Sequence, residues 1–145
     1  MNILQQIQSE LKAPKGQKNN FGNYSYRSAE DILTAVKPLL EKHEVSLIIS
    51  DDIVGVEGRV YVKATATLWS GDKGCEPLAG STGFAREALT KKGMDDAQIT
   101  GSASSYARKY ALNGLLCIDD TKDPDATNDH GSKLPKPTTK QSQGF

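Results

Sequence analysis

The sequence predicts an α+β fold: an antiparallel β-meander of about three strands packed with helices and followed by a flexible C-terminal tail. Three observations carry this. Between Arg59 and Trp69, Val60, Val62, Ala64, Ala66 and Leu68 alternate with Tyr61, Lys63, Thr65, Thr67 and Trp69, the period of a half-buried strand. On either side of the strand region, apolar residues recur at helical spacing over 29–43 and again from about 96. After Ile118 the composition shifts to Asp, Pro, Thr, Lys, Ser and Gln, which cannot bury enough apolar surface to order itself. The 145 residues thus divide into one domain, 1–118, with a single modest core, and an acidic and polar tail, 119–145.

The elements follow in order. Ile3, Leu4, Ile7 and Leu11 form the stripe of a short amphipathic helix. Residues 13–28, APKGQKNNFGNYSYRS, read as a long loop from Pro14, Gly16, Asn19, Asn20 and Gly22. This loop interleaves Lys15, Lys18 and Arg27 with Phe21, Tyr24 and Tyr26. Ser28 starts a second helix as a capping box, with the Asp31 carboxylate three residues on. Ile32, Leu33, Val36, Leu39 and Leu40 give its buried stripe, and it ends near Lys42 and His43. Pro38 is expected to bend or loosen it.

The period changes at Val45, where VSLIISDDIV reads as a strand and Gly55 to Gly58 as a hairpin connection to the strand at 59–69. Ser70 to Gly74 make a second turn, and Pro77 to Arg86 form a third strand weakened by Gly80 and Gly83. Short connections make these strands an antiparallel meander, with helices on one face. A basic connector containing Lys91, Lys92 and Gly93 leads to Asp95 or Asp96, which opens the last helix. That helix is expected to stop at Asn113 and Gly114.

Charge balances, with 18 Lys and Arg against 18 Asp and Glu. The tail carries five Asp and four Lys, so the first 118 residues are near neutral, and a nucleic-acid site here depends on local patches. Cys75 and Cys117 have no CxxC partner, and His43 and His130 are the only histidines, which argues against a structural zinc site. Cys117, within LLCI, is expected to be a small buried apolar residue. The first residues lack the charged and apolar regions of a signal peptide, and no apolar run approaches the ~20 residues of a membrane span, so a soluble cytoplasmic protein is expected. No phosphate loop of the GxxxxGK[ST] type is present. Asp51 and Asp52 are adjacent on a strand and point to opposite faces. Asp119, Asp120, Asp123 and Asp125 lack the Gly and terminal Glu of a calcium loop. These observations predict no catalytic residues, no metal and no cofactor.

The last helix has two unlike faces. Ile99, Ala103, Tyr106 and Tyr110 fall on one side and are expected to pack on the sheet. Ala97, Gly101, Ser104, Ser105 and Arg108 fall on the other, with Lys109 at its border. A glycine within a helix costs about 1 kcal/mol relative to alanine, so Gly101 suggests close approach by another helix, another subunit or a nucleic-acid backbone. Serines and an arginine suit phosphates, and they equally make an ordinary solvated face.

The stretch DDAQITGSASSYARKYALNGLLCI, followed by DDTKDPD, resembles the ERF family of phage single-strand annealing proteins. The upstream GNYSYRSAEDILTAVKPLLEKHEVSL is similar to that family's N-terminal element, and the resemblance covers roughly residues 15–125. This chain departs from it in having Tyr24 and Tyr26 where many relatives have a Phe-Lys-rich loop, and in its short tail. The resemblance implies a protein that binds single-stranded DNA, assembles into a homo-oligomeric ring or filament and anneals complementary strands in recombination without ATP, in the cytoplasm of the bacterial host. The matching phosphate partners are Lys15, Lys18 and Arg27 in the loop, Arg86, Lys91 and Lys92 before the last helix, and Arg108 and Lys109 on it, these last two being the pair to test first. Tyr24 and Tyr26 either stack bases, at about 1–3 kcal/mol each, or anchor the loop to the sheet edge. Gly101, Ser104 and Ser105 would meet DNA or a neighbouring subunit. Lys63, with Tyr61 and Trp69, either forms a further surface or packs under a helix. The tail would limit non-specific contacts or engage the host single-strand-binding protein. The competing reading is an oligomeric structural or RNA-binding module that pairs no strands.

Overall fold

The computed structural model of the chain describes residues 2–71 and 76–119. Its elements in chain order are α1 (Ile3–Glu10), β1 (Gln17–Asn19), β2 (Tyr24–Tyr26), α2 (Ala29–His43), β3 (Val45–Val56), β4 (Arg59–Ser70), β5 (Pro77–Arg86) and α3 (Asp96–Leu116). The expected tail beyond Asp119, and Cys75, lie outside the described residues.

Each helix opens on a reciprocal capping box, formed by Asn2 and Gln5, Ser28 and Asp31, and Asp95 and Gln98. Such a box satisfies two backbone donors that the first turn otherwise leaves open. β3, β4 and β5 form the predicted antiparallel meander, in that order, with β4 central. The β3–β4 pairing runs without interruption from Val45 opposite Ser70 to Val56 opposite Arg59. The connection is therefore shorter than expected: Gly55 and Val56 belong to β3, and Glu57 and Gly58 alone make the turn, both at positive φ (48° and 77°). Two residues at positive φ match the right-handed twist of the strands they join.

Val62, Ala64, Ala66 and Leu68 are all but fully buried and face the helices. The opposite face of β4, from Tyr61 to Trp69, is only half-buried, as the alternation predicts. α3 lies across β4 and β5, and small residues set how closely. A Cβ placed on Gly83 of β5 would sit 2.5 Å from the Ala107 carbonyl oxygen and the Ala111 nitrogen of α3. Ala103, Ala107 and Ala111 are buried against this contact. The glycine that weakens β5 as an isolated strand is what lets the helix backbone rest on it.

Three expectations are corrected here. α3 does not stop at Gly114 but runs through it to Leu116. Leu115 and Leu116 are buried, and that outweighs the ~1 kcal/mol cost of a helical glycine. Gly114 instead sits against the Ser81 hydroxyl, where a Cβ would collide. Cys117 is exposed, not buried, because it forms the left-handed C-cap of α3 (φ 60°) and the turn directs it outward. Finally, residues 17–26 are not a plain loop but a small hairpin, β1 and β2. α2 continues through Pro38 to His43.

α1 completes the core. Ile7 is fully buried, and the Gln8 side-chain amide donates to the Leu115 carbonyl at 2.9 Å. Glu10 accepts from Lys42 at 2.8 Å and lies 3.0 Å from His43, and these hydrogen bonds hold its carboxyl below the ordinary value.

Candidate nucleic-acid interface

The β1–β2 hairpin is built by its polar residues. The Asn19 side-chain oxygen accepts from the backbone nitrogens of Phe21 (2.8 Å) and Gly22 (3.0 Å), closing the turn, and its amide donates to the Tyr24 hydroxyl at 3.0 Å. Pairing Gln17 with Tyr26 and Asn19 with Tyr24 places both tyrosines on one face and Lys18 on the other. Phe21 stands fully exposed at the tip. Arg27 ties the hairpin's end back to the segment that follows α1, its Nε donating to the Ala13 carbonyl at 2.6 Å.

Asp31 fastens the hairpin to α2. Its carboxylate accepts from the Ser28 backbone nitrogen at 2.9 Å and from the Gln17 amide at 3.3 and 3.4 Å. The backbone bond from Ser28 is the main reason its carboxyl lies below the ordinary aspartate value; the Ser28 hydroxyl, Gln17 and the Gly16 backbone add to this, and burial opposes it. A depressed carboxyl pKa stabilises the fold above the unfolded-state value, and that stabilisation is lost as the pH falls through the folded value. Asp31→Ala is therefore expected to cost about 1 kcal/mol at neutral pH. It should also remove this group's share of the stability lost below about pH 4. Denaturation midpoints measured across that range for both proteins check this.

α3 presents three different flanks. The sheet-facing flank is the alanine row described above. Tyr106 and Tyr110 are not part of it: they are 51% and 47% exposed, which corrects their expected burial. The contact at Gly83 admits only small side chains beneath the helix, so the tyrosines stand out beside β5, their ring centroids 6.4 Å apart. On a second flank, Lys109 Nζ lies 5.7 Å over the Tyr26 ring, and Tyr26 lies 6.1 Å from Tyr24. On the third, Arg108 and Ser104 close on Asp51 of β3, with Arg108 Nε 3.2 Å from Oδ1, Nη2 3.3 Å from Oδ2 and the serine hydroxyl 2.5 Å from Oδ2. Asp51 thus faces the helix, as its register opposite Ala64 requires.

Two cavities flank Tyr106. One, of about 450 Å³, is bounded by Phe84, Arg86, Lys91, Ser102, Tyr106 and Tyr110. The other, of about 250 Å³, is bounded by Tyr26, Arg27, Ser102, Ser105, Tyr106 and Lys109. No carboxylate lies among the described residues that line either.

The structure therefore gathers Tyr26, Arg27, Ser105 and Lys109 at one cavity and Arg86 and Lys91 at the other. It separates Arg108 and Ser104 from them, engaged by Asp51 on the far flank. Lys15 is half-exposed ahead of β1, and Lys92 is exposed in the connector. Among the described residues, a Cβ at Gly101 would have no neighbouring atom within 4 Å beyond its own stretch of helix, so no other described element approaches it. Lys63 lies 5.9 Å over the Phe84 ring on the sheet face opposite α3, so it does not pack under a helix. Sequence reasoning did not place Phe84, Ser102, Tyr106 or Tyr110 at a site. A usable signal was present in Ala103, Ala107 and Ala111, a small-residue row at spacing four that competes with the tyrosines for the sheet.

Among the described residues, no group of three or more His, Cys, Asp or Glu converges as metal ligands would, and no helix is long and apolar enough to cross a membrane. The sheet-and-helix scaffold and its aromatic and basic flank are those of a chain that belongs to the ERF superfamily, whose profile it matches over residues 2–144. It is 52% identical over 140 residues to the essential recombination function protein of Salmonella phage P22. That alignment covers 97% of this chain and 65% of the P22 protein, so the chain spans just under two thirds of that relative. No solved structure matches it.

Proposed function

We propose that this chain acts in phage homologous recombination by binding single-stranded DNA and annealing complementary strands without ATP, as a homo-oligomer and not as a catalyst of covalent chemistry. Membership of the ERF superfamily and the likeness to a phage recombination protein support the recombination role. The observation that carries the DNA-binding reading is the flank of α3 around Tyr106. Arg27, Arg86, Lys91 and Lys109 surround three exposed or half-exposed rings there, with no carboxylate among the described lining. Cations at such a surface take phosphates whatever the sequence, and rings accept any base face. A protein that anneals arbitrary strands needs this sequence tolerance. Lys15 and Lys92 extend the positive border, Lys18 adds a charge on the far face of the hairpin, Tyr24 supports Tyr26, and the bare backbone at Gly101 offers a place for a neighbouring copy or the strand itself. The tail, outside the described residues, is proposed to meet the host single-strand-binding protein.

The test is a fluorescence annealing assay with complementary oligonucleotides and no nucleotide, with the mass of the assembly measured in parallel. Annealing well above the spontaneous rate by a particle of several subunits is the expected result. A multimer that leaves the spontaneous rate unchanged would favour the purely structural role.

A further inference from the structure

The two cavities beside α3 share a wall: Ser102 and Tyr106 line both. Beyond that wall the chemistry repeats. On one side Tyr110 offers a ring face beside Arg86 and Lys91; on the other Tyr26 offers one beside Arg27 and Lys109. Phe84 borders the first cavity, but its ring lies under Lys63 on the sheet face away from α3 and takes no part in it. A ligand that fits both sides must present one flat ring and one anion, then a short link, then the same again. Successive nucleotides of a single strand have that repeat. A duplex does not, because its bases are paired and stacked inward.

We infer that Tyr106 is a wedge: two consecutive nucleotides of single-stranded DNA lie on either side of it, one base against Tyr110 and the next against Tyr26, with the Tyr106 ring between them. Arg86 and Lys91 face the phosphate on one side of the ridge, Lys109 and Arg27 that on the other, and Ser102 at the foot of the ridge offers a hydroxyl to the linking sugar-phosphate. The inference rests on the proposed DNA-binding reading and adds to it the residue that sets where the strand crosses the subunit. A stack broken once per subunit keeps the strand extended and its base edges unpaired, the state in which a complementary strand can be tested. Removing the Tyr106 ring takes no core residue with it, since half of the side chain already stands in solvent.

The experiment uses the full chain with oligothymidylate for affinity and an oligonucleotide carrying two adjacent 2-aminopurines, whose exciton circular dichroism reports their stacking. The pair is moved along the strand one position at a time. The native protein is expected to suppress the exciton band at a periodic subset of positions. Tyr106→Ala should restore the band and bind about 5- to 150-fold more weakly, the usual range for one lost base stack. Its salt dependence should be unchanged because no charge is removed. Tyr106→Phe should behave as the native chain. Binding by the native protein with the exciton band intact at every position overturns the wedge while leaving the DNA-binding reading standing. Failure of the native protein to bind any single strand overturns both. A changed assembly mass in Tyr106→Ala would assign the ridge to a contact between copies and overturn the wedge.

Discussion

Gly83→Val is expected to lower the thermal midpoint of the protein by about 4–24 °C. This range follows from an overpacking cost of about 1–3 kcal/mol and about 4–8 °C per kcal/mol for a small domain. The atoms that the new side chain would meet are backbone, the Ala107 carbonyl oxygen and the Ala111 nitrogen at 2.5 Å, with the Tyr110 Cβ at 2.8 Å. None of these can swing aside as the end of a long side chain would, so α3 has to lift from β5 and open the core around Leu68 and Leu112. The same movement displaces Tyr110 from its cavity, so single-strand binding should weaken together with stability. Gly101→Ala is the matched control. Its side chain enters open space on the same helix, and replacing a helical glycine with alanine should raise stability by up to about 1 kcal/mol. Thermal melts followed by circular dichroism decide the matter: equal midpoints for native and Gly83→Val proteins would refute the close-contact account.

The second large effect concerns charge. Removing Arg86, Lys91 and Lys109 together is expected to flatten the dependence of single-strand affinity on salt by about two units of log–log slope, at about 0.7 per phosphate contact. At low salt the affinity should fall by at least tenfold. Arg108→Ala should do far less to binding, because Asp51 already neutralises that guanidinium at 3.2 Å. This half-exposed pair contributes about 0–1 kcal/mol, so the change in stability should also be small. Anisotropy titrations over a range of salt concentrations measure both. If Arg108→Ala flattens the slope as much as the triple variant, the DNA path runs over the Asp51 flank instead. The sequence makes Arg108 and Lys109 a natural pair, but they point away from each other, one to β3 and the other to the hairpin.

Much of the scaffold was legible because its signals are local. The alternation from Val62 to Leu68 gave the buried face of β4, although Val60, expected on it, is exposed at the end of the sheet, and Pro77 to Arg86 proved to be β5 end to end. Ser28 and Asp95 announced their helices through side chains that reach only three residues along the chain. The hairpin at 17–26 was not legible: three-residue strands carry little signal, and a carboxylate on the following helix holds them in place. The end of α3 was misjudged because a glycine's local preference was outweighed by the burial of Leu115 and Leu116.

For the candidate site, the residue types were readable and their grouping was not. The aromatic and basic content of the loop, the connector and the last helix stood out in the sequence, and Tyr26, Arg27, Arg86, Lys91 and Lys109 do come to one flank of α3. A helical stripe of Ile99, Ala103, Tyr106 and Tyr110 is sound geometry, but it does not say which part meets the sheet. Gly83, more than twenty residues upstream, decided that in favour of the alanines and left the tyrosines outside. Asp51, 57 residues before Arg108, decided which of two neighbouring cations is neutralised. The sequence by itself determined the three helices, the three-strand meander, the Ser28 cap and their order, because those depend on neighbours within a turn or a hairpin. Only the tertiary structure decided which helix face is buried and which charges stay at the surface, because close packing and ion pairing depend on residues brought together from distant parts of the chain.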